Sequence, residues 1–234
     1  MPSETTARVA MISGAGRGIG AEVATALARA GWRLSLGVRD PARLTPPPDG
    51  ALVHRFDARD PDSERLWVEA TAERFGRIDA VIANAGIMIP KTVIAADDAD
   101  LDDLIQVNVK SPLRLVRAAW PHLVASGHGR VVTIASLSGK RVKSATSGLY
   151  AVSKFAALAM THAIRHAGWD EGVRATAICP GFVATDMAAG LAKRPPEAMT
   201  QPQDVARIVA FLLDLPDTAS IAEIPINSTL EDSW

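Results

Sequence analysis

Short β-rich apolar runs alternate with helix-like segments along the chain, and no other feature narrows its possible folds so strongly. The runs are RVAMI (8–12), RLSLGV (33–38), ALVHRF (51–56), IDAVIA (78–83), GRVVTIA (129–135), VRATAI (173–178) and AEIPI (222–226). Between most of them the spacing predicts helices over 18–30, 61–75, 99–125, 149–168 and 202–214. Strands that alternate with helices assemble into a parallel sheet with right-handed crossovers, which place helices on both faces. The runs are continuously apolar rather than strictly alternating, as expected of strands covered on both sides.

The expected architecture is therefore α/β, a doubly wound sheet of about seven parallel strands. No Ser/Gly linker or repeat divides the chain, so residues 1–234 are read as one domain. TPPPDG (45–50) is a turn between strands, too short to separate domains. The stretch from Thr185 to Pro202 breaks the rhythm with small, basic and proline residues, and is read as a lid over a substrate.

Composition excludes several classes of function. Twenty-five Lys and Arg stand against 26 Asp and Glu, without the basic excess that phosphate-backbone binding requires, so nucleic acid is not an expected partner. No segment reaches ~18 uninterrupted apolar residues, and the start lacks a secretory pattern, so neither a membrane nor export is expected. The single Cys179 can form no internal disulfide, and a reducing, cytoplasmic setting is the expectation.

The first strand runs into SGAGRGIG, with glycines at 14, 16, 18 and 20, and then into a helix carrying Ile19, Val23 and Leu27. A strand, a glycine turn and a helix N-terminus in that order let backbone N–H groups face a pyrophosphate. Gly14, Gly18 and Gly20 are spaced GxxxGxG rather than GxGxxG. At the end of the second strand, where an NAD site presents a carboxylate, Val38 is followed by Arg39. Arg39, with Arg17 in the glycine turn, suits a 2′-phosphate, so NADP(H) is the expected cofactor. Asp40 is read as an ion partner for Arg39 or as a displaced ribose acceptor.

With these motifs in order, the chain resembles the short-chain dehydrogenase/reductase family over nearly its whole length. SGAGRGIG (13–20) is similar to the family's cofactor loop, ANAG (83–86) to its fourth-strand motif, YAVSK (150–154) to its Tyr-x-x-x-Lys signature and PGFVATDM (180–187) to its nicotinamide turn. The resemblance implies a Rossmann-type fold and a catalytic set of Asn108, Ser136, Tyr150 and Lys154. It implies cofactor contacts from Ser13, Gly14, Arg17, Gly18, Ile19, Gly20 and Arg39, and adenine contacts from Asp57 and Ala58. Asn84, Ala85 and Gly86 are expected beneath the cofactor, while Pro180, Gly181, Val183 and Thr185 are expected to hold its nicotinamide. Lys154 is expected on the nicotinamide ribose and Asn108 on a water linking Lys154 to solvent. The family also pairs subunits through the helices at 99–125 and 149–168, so a homodimer or homotetramer is expected.

Tyr150 and Lys154, four residues apart, share a helix face. The ammonium and an oxidised nicotinamide are expected to lower the phenol pKa toward neutrality, so that Tyr150 serves as the acid or base. The implied reaction exchanges a ketone or aldehyde with an alcohol; the alternative from another class is a dinucleotide sensor or scaffold without catalysis. Met88, Ile89, Ser138, Phe182 and the segment Met187 to Leu191 are the candidate substrate lining, mostly apolar. The loop after Ser136 is basic, with Lys140, Arg141 and Lys143, and leaves an acidic substrate, a 3-oxoacyl thioester, a sugar or a hydroxy acid open. A metal is not expected: His162 and His166 sit four apart without a third ligand, and DDADLDD (97–103) lacks the features of a calcium loop.

Overall fold

The computed structural model describes residues 7–44 and 46–230. Seven strands, β1 (Val9–Ser13), β2 (Arg33–Val38), β3 (Leu52–Arg55), β4 (Ala80–Ala83), β5 (Arg130–Ile134), β6 (Arg174–Pro180) and β7 (Glu223–Ile226), form one sheet. Their order is β3-β2-β1-β4-β5-β6-β7, and every pairing is parallel. The order reverses between β1 and β4, which opens a crevice beyond the C-terminal strand ends, where ligands of such sheets bind.

Alternate residues of the central strands supply two separate cores. Ala10, Ile12, Ile82 and Val132 face α1 (Gly18–Arg29) and α6 (Pro202–Asp214), meeting Val23, Leu27, Val205 and Val209. Met11, Val81 and Val131 face the other way, toward Trp67 of α2 (Ser63–Phe75) and Leu115, Ala119 and Leu123 of α4 (Ser111–Ala125). Gly37 in β2 is a packing requirement, because a Cβ there would stand 2.7 Å from the Trp67 ring. The indole N–H of Trp67 donates to the hydroxyl of Ser35 at 2.8 Å, so the buried hydroxyl in β2 is satisfied.

The segment expected as one helix over 99–125 is interrupted. Helix α3 (Asp98–Ile105) passes into a π-helical turn, Gln106–Lys110, before α4 begins. Pro112 explains the break: without an N–H it cannot donate to the carbonyl four residues back, on Asn108. The N–H of Ser111 reaches instead to the carbonyl of Gln106, five residues back. Asn108 thus sits in the one irregular turn of this helical stretch, its side chain buried.

Helix α5 (Gly148–Gly168) packs against β6 and carries Tyr150 and Lys154 in its first two turns. Residues 185–202 form turns and a short 3₁₀ segment, Pro196–Ala198, closed at the base by a Val183–Thr200 bridge. The N–H of Ala184 donates to Thr200 O at 2.9 Å, and that of Thr200 to Phe182 O at 3.2 Å. The segment expected as a lid is thus a loop pinned at its two ends. No described helix is long and apolar enough to cross a membrane.

Candidate active site

The glycine turn is stitched to the end of β4 by two side chains. Ser13 Oγ accepts from the N–H groups of Asn84 and Ala85, both at 3.0 Å, and Asn84 Nδ2 donates to Ser13 O at 2.9 Å and Gly14 O at 3.2 Å. Their polar atoms are therefore spent on holding the turn rather than aimed outward. Gly20 has no room for a side chain, since a Cβ would lie 2.3 Å from Gly14 O, and Gly18 needs glycine for its φ of +56°. Helix α1 begins at Gly18 with no capping side chain and no acidic residue in its first turn. Its first-turn N–H groups and positive dipole end therefore suit an anion. Ile19 is half-buried and anchors this turn in the core.

The two arginines differ in what they touch. Arg39 is exposed beyond the end of β2 and makes no ion pair among the described residues. Asp40 does not pair with it. It accepts from Ala42 N at 3.1 Å and faces Arg43 at 3.3 Å, so its carboxylate stabilises the next turn. Arg17, expected at the same phosphate, bonds Asp186 of the loop after β6 at 2.7 Å. The carboxylate of Asp186 draws it across the glycine turn. On the far side, Asp57 caps the N–H of Arg59 at 3.0 Å, while the carbonyl of Ala58 accepts from Gln106 and Arg114, each at 3.1 Å.

Four chain segments bring the remaining groups together. Asn108 Oδ1 accepts from Ile87 N, and its Nδ2 donates to Ile87 O, both at 2.9 Å; Nδ2 also reaches Ser153 Oγ of α5 at 3.0 Å. A Cβ on Gly86 would lie 3.2 Å from Asn108 Oδ1 and 3.7 Å from Lys154 Nζ, so Gly86 opens the space that these two side chains border. Ser136 follows β5, where its Oγ accepts from Ser138 N at 3.0 Å and donates to Pro180 O at 3.5 Å. Tyr150 lies beside Ser136, whose hydroxyl acts to lower the phenol's pKa. Lys154 Nζ donates to Ile134 O at 2.9 Å and stands 5.7 Å from the centre of the Tyr150 ring.

Burial dominates the electrostatics of Tyr150 among the protein's own residues, whereas the sequence expectation also counts the charge of an oxidised nicotinamide. Burial pushes the phenol up to about 12, against a smaller lowering by the Ser136 hydroxyl. Lys154 is pushed down to about 8, again by burial. Desolvation disfavours each charged form. Near neutral pH Tyr150 is thus a phenol and Lys154 mostly an ammonium.

One lysine of the basic loop has a carboxylate partner within the chain. Lys140 is turned to Glu223 of β7, whose other carboxylate oxygen is 2.6 Å from His162 Nε2 on α5. Lys140 therefore neutralises a carboxylate of its own chain. Of the candidate lining, Met88 and Ile89 pack beside Tyr150, Ser138 is half-buried, and Phe182 and Met187 are exposed. Gly181 is held by its N–H to Ile226 O at 2.8 Å, and Thr185 Oγ1 donates to Val183 O at 3.3 Å. Residues 8–196 match the family of short chain dehydrogenases.

The chain belongs to the short-chain dehydrogenase family.

Agropine synthesis reductase of Rhizobium rhizogenes is 41% identical over 220 residues, 91% of this chain. The chain spans about half the length of that relative, 50%. Among solved structures, an alcohol dehydrogenase from the archaeon Thermococcus sibiricus, complexed with 5-hydroxy-NADP, superposes with a TM-score of 0.86 at 29% identity, covering 97% of this chain and 99% of its own. A short chain dehydrogenase from Burkholderia cenocepacia in complex with NADP gives 0.84 at 30% identity, covering 94% and 96%. The family is one of oxidoreductases, and nicotinamide cofactors recur among its members of this shape.

Proposed function

We propose that the protein is an NADP(H)-dependent carbonyl reductase or alcohol dehydrogenase in which Tyr150 is the proton donor or acceptor. The observation that carries this reading is the meeting of Ser136, Tyr150 and Lys154 in one buried site at the C-terminal strand ends. The site fits a dinucleotide: an uncapped helix N-terminus free of acidic residues faces the crevice, and Arg39 lies beyond the end of β2 without an ion partner among the described residues. Gly14, Arg17, Gly18, Ile19 and Gly20 would hold its pyrophosphate, Arg39 its 2′-phosphate, Asp57 and Ala58 its adenine, and Pro180, Gly181, Val183 and Thr185 its nicotinamide. Arg17 reaches a phosphate only by leaving Asp186, so the preference for NADP(H) rests chiefly on Arg39.

A bound reduced nicotinamide supplies a hydride to the substrate carbonyl carbon. Tyr150 gives its phenolic proton to the carbonyl oxygen, so carbonyl plus hydride plus proton balances to alcohol. Ser136 donates a hydrogen bond to the same oxygen and stabilises its developing charge. Lys154 holds the nicotinamide ribose and offsets charge on the tyrosinate left behind. Asn108, locked to Ile87 and Ser153, shapes the route by which Lys154 meets solvent. Burial keeps Tyr150 protonated near neutral pH, the form that the reductive direction starts from.

The half-buried Met88 and Ile89 and the exposed Phe182 and Met187 support a small or medium apolar ketone, or the corresponding alcohol, as substrate. Val152 and Phe155 leave an exposed apolar strip on α5, which supports self-association into a dimer or tetramer. A screen of ketones, 3-oxoacyl thioesters and polyols against NADPH absorbance tests the reading. Turnover that survives unchanged in Tyr150→Phe would show that the mechanism is wrong, and NADPH binding without any turnover would favour a sensor.

A further inference from the structure

Behind the site, three charged or titratable side chains from three elements meet at one carboxylate. Glu223 of β7 bonds Lys140 through Oε2 and His162 through Oε1, the latter at 2.6 Å. Lys140 and Glu223 are each only 24% exposed and His162 37%, so this is a partly desolvated cluster rather than a solvated surface pair.

Their placement ties them to the catalytic turn. Lys140 directly follows the 3₁₀ turn Leu137–Gly139, which is capped by Ser136 itself. That turn lies flat on α5, since a Cβ on Gly139 would come within 2.6 Å of the Lys154 carbonyl. On α5, Lys154, Leu158 and His162 recur every four residues and so lie along one face. Leu158 packs on Ala135, Leu137, Ala177 and Cys179, filling the space between the catalytic lysine and the histidine. The register pairs Glu223 with Ala177, two residues before Cys179, and so places the carboxylate over the same face of the sheet.

We propose that Glu223, with Lys140 and His162, clamps the Ser136 turn between α5 and β7 and is a positioning residue for Ser136. The inference rests on the catalytic reading of Ser136 and Tyr150. One end of the clamp fixes the exit of the turn; the other fixes the helix that carries Tyr150 and Lys154. Ser136 Oγ is held within the turn by Ser138 N at 3.0 Å, so displacement of the turn moves the hydroxyl away from the carbonyl oxygen that it must meet. The proposed pyrophosphate and 2′-phosphate contacts, on the glycine turn and beyond β2, lie on loops away from this cluster; of the cofactor contacts only Lys154 and the start of the nicotinamide turn share its elements.

Hydrogen exchange and steady-state kinetics on the full chain decide the matter together. The amides of Gly139, Lys140 and Arg141 donate within the turn, to Ser136 O and Leu137 O. In Glu223→Gln and in the milder Lys140→Met these amides should exchange about tenfold faster while β5 amides are unchanged. The kcat should fall about three- to tenfold with the KM for NADPH unaltered. The charge-swapped double variant, Lys140→Glu with Glu223→Lys, restores the end of the clamp at the turn though not the one at His162, and should recover part of both losses. Parent-like exchange in both single variants would overturn the clamp, as would a swap with no recovery. Were the parent to reduce no carbonyl at all, the proposed activity would fail while the exchange measurement still judged the clamp.

Discussion

The two ends of the crevice use charge in opposite ways. At the reaction end, Tyr150 and Lys154 are 8% and 6% exposed, and burial moves both away from their ordinary pKa values. At the adenosine end, Arg17 and Asp186 keep 71% and 74% of their side chains in water. A group that must transfer a proton gains from a dry setting, where hydrogen bonds and charges are little screened. A group that must recognise an arriving phosphate gains from reach, and loses little by staying hydrated. The reaction end should therefore respond steeply to substitution and to pH, and the adenosine end weakly and with a dependence on salt.

The largest effect is expected at Tyr150. Removing its hydroxyl in Tyr150→Phe eliminates the proposed proton donor beside Ser136, and turnover should drop by about 10³-fold. Binding of NADPH, followed by fluorescence titration, should stay within about threefold of the parent, because the phenol acts on substrate oxygen. A comparable loss of cofactor affinity would erase the proposed contrast between the two ends.

Next comes Lys154, whose burial makes a statement about stability. Its folded pKa is about 8, below the ordinary lysine value of ~10.4. Between these values the unfolded chain holds a proton that the folded lysine has lost, so stability rises with pH across that window. Lys154→Met lacks this gain. Urea unfolding at pH 7 and pH 10 should show the parent gaining on the variant by on the order of 2–3 kcal/mol. Tyr150, raised to about 12, acts in the opposite sense only above pH 10, as unfolded tyrosine ionises first. A difference independent of pH would mean that Lys154 is better hydrated than its position suggests.

The same contrast separates what was legible in the sequence from what was not. Strand 33–38 and helix 202–214 were readable to the residue, because unbroken apolar runs and a proline at the helix start mark their limits. The glycine turn and the Tyr-x-x-x-Lys pair were readable as motifs because local geometry fixes their spacing. The π-turn at Asn108 was hidden, since its apolar pattern matches that of a helix; only Pro112, four residues later, signalled a freed carbonyl. The burial that raises the pKa of Tyr150 was not legible, because a linear sequence shows the lysine's charge but not the desolvation of both groups. Neither the Glu223 clamp nor the Arg17–Asp186 pair could be read, as their partners lie 83, 61 and 169 residues apart. Such long-range partners leave no periodic trace in a single chain.

A smaller effect is expected at Arg39. Replacing it by alanine removes a charge-assisted contact to the 2′-phosphate and should lower the preference for NADPH over NADH by about tenfold. Raising salt to about 0.5 M should shrink the parent's preference and leave that of the variant unchanged, because the lost contact is the screened one. An unaltered preference would remove Arg39 from the site and leave the cofactor choice to Arg17.

Asp186 should give the smallest effect, and its direction is informative. In the protein alone it holds Arg17 and thereby links the loop after β6 to the glycine turn. Two outcomes oppose each other in Asp186→Asn: the loop loses one tether, but Arg17 gains freedom to meet an arriving phosphate. An exposed pair contributes at most about 1 kcal/mol, so NADPH dissociation, measured by stopped-flow displacement, should change by no more than about fivefold. Faster release would assign the pair to loop closure; slower release would mean that Asp186 competes with the cofactor for Arg17. A change above about tenfold would require the pair to be desolvated once the cofactor is bound, and the adenosine end would then resemble the reaction end.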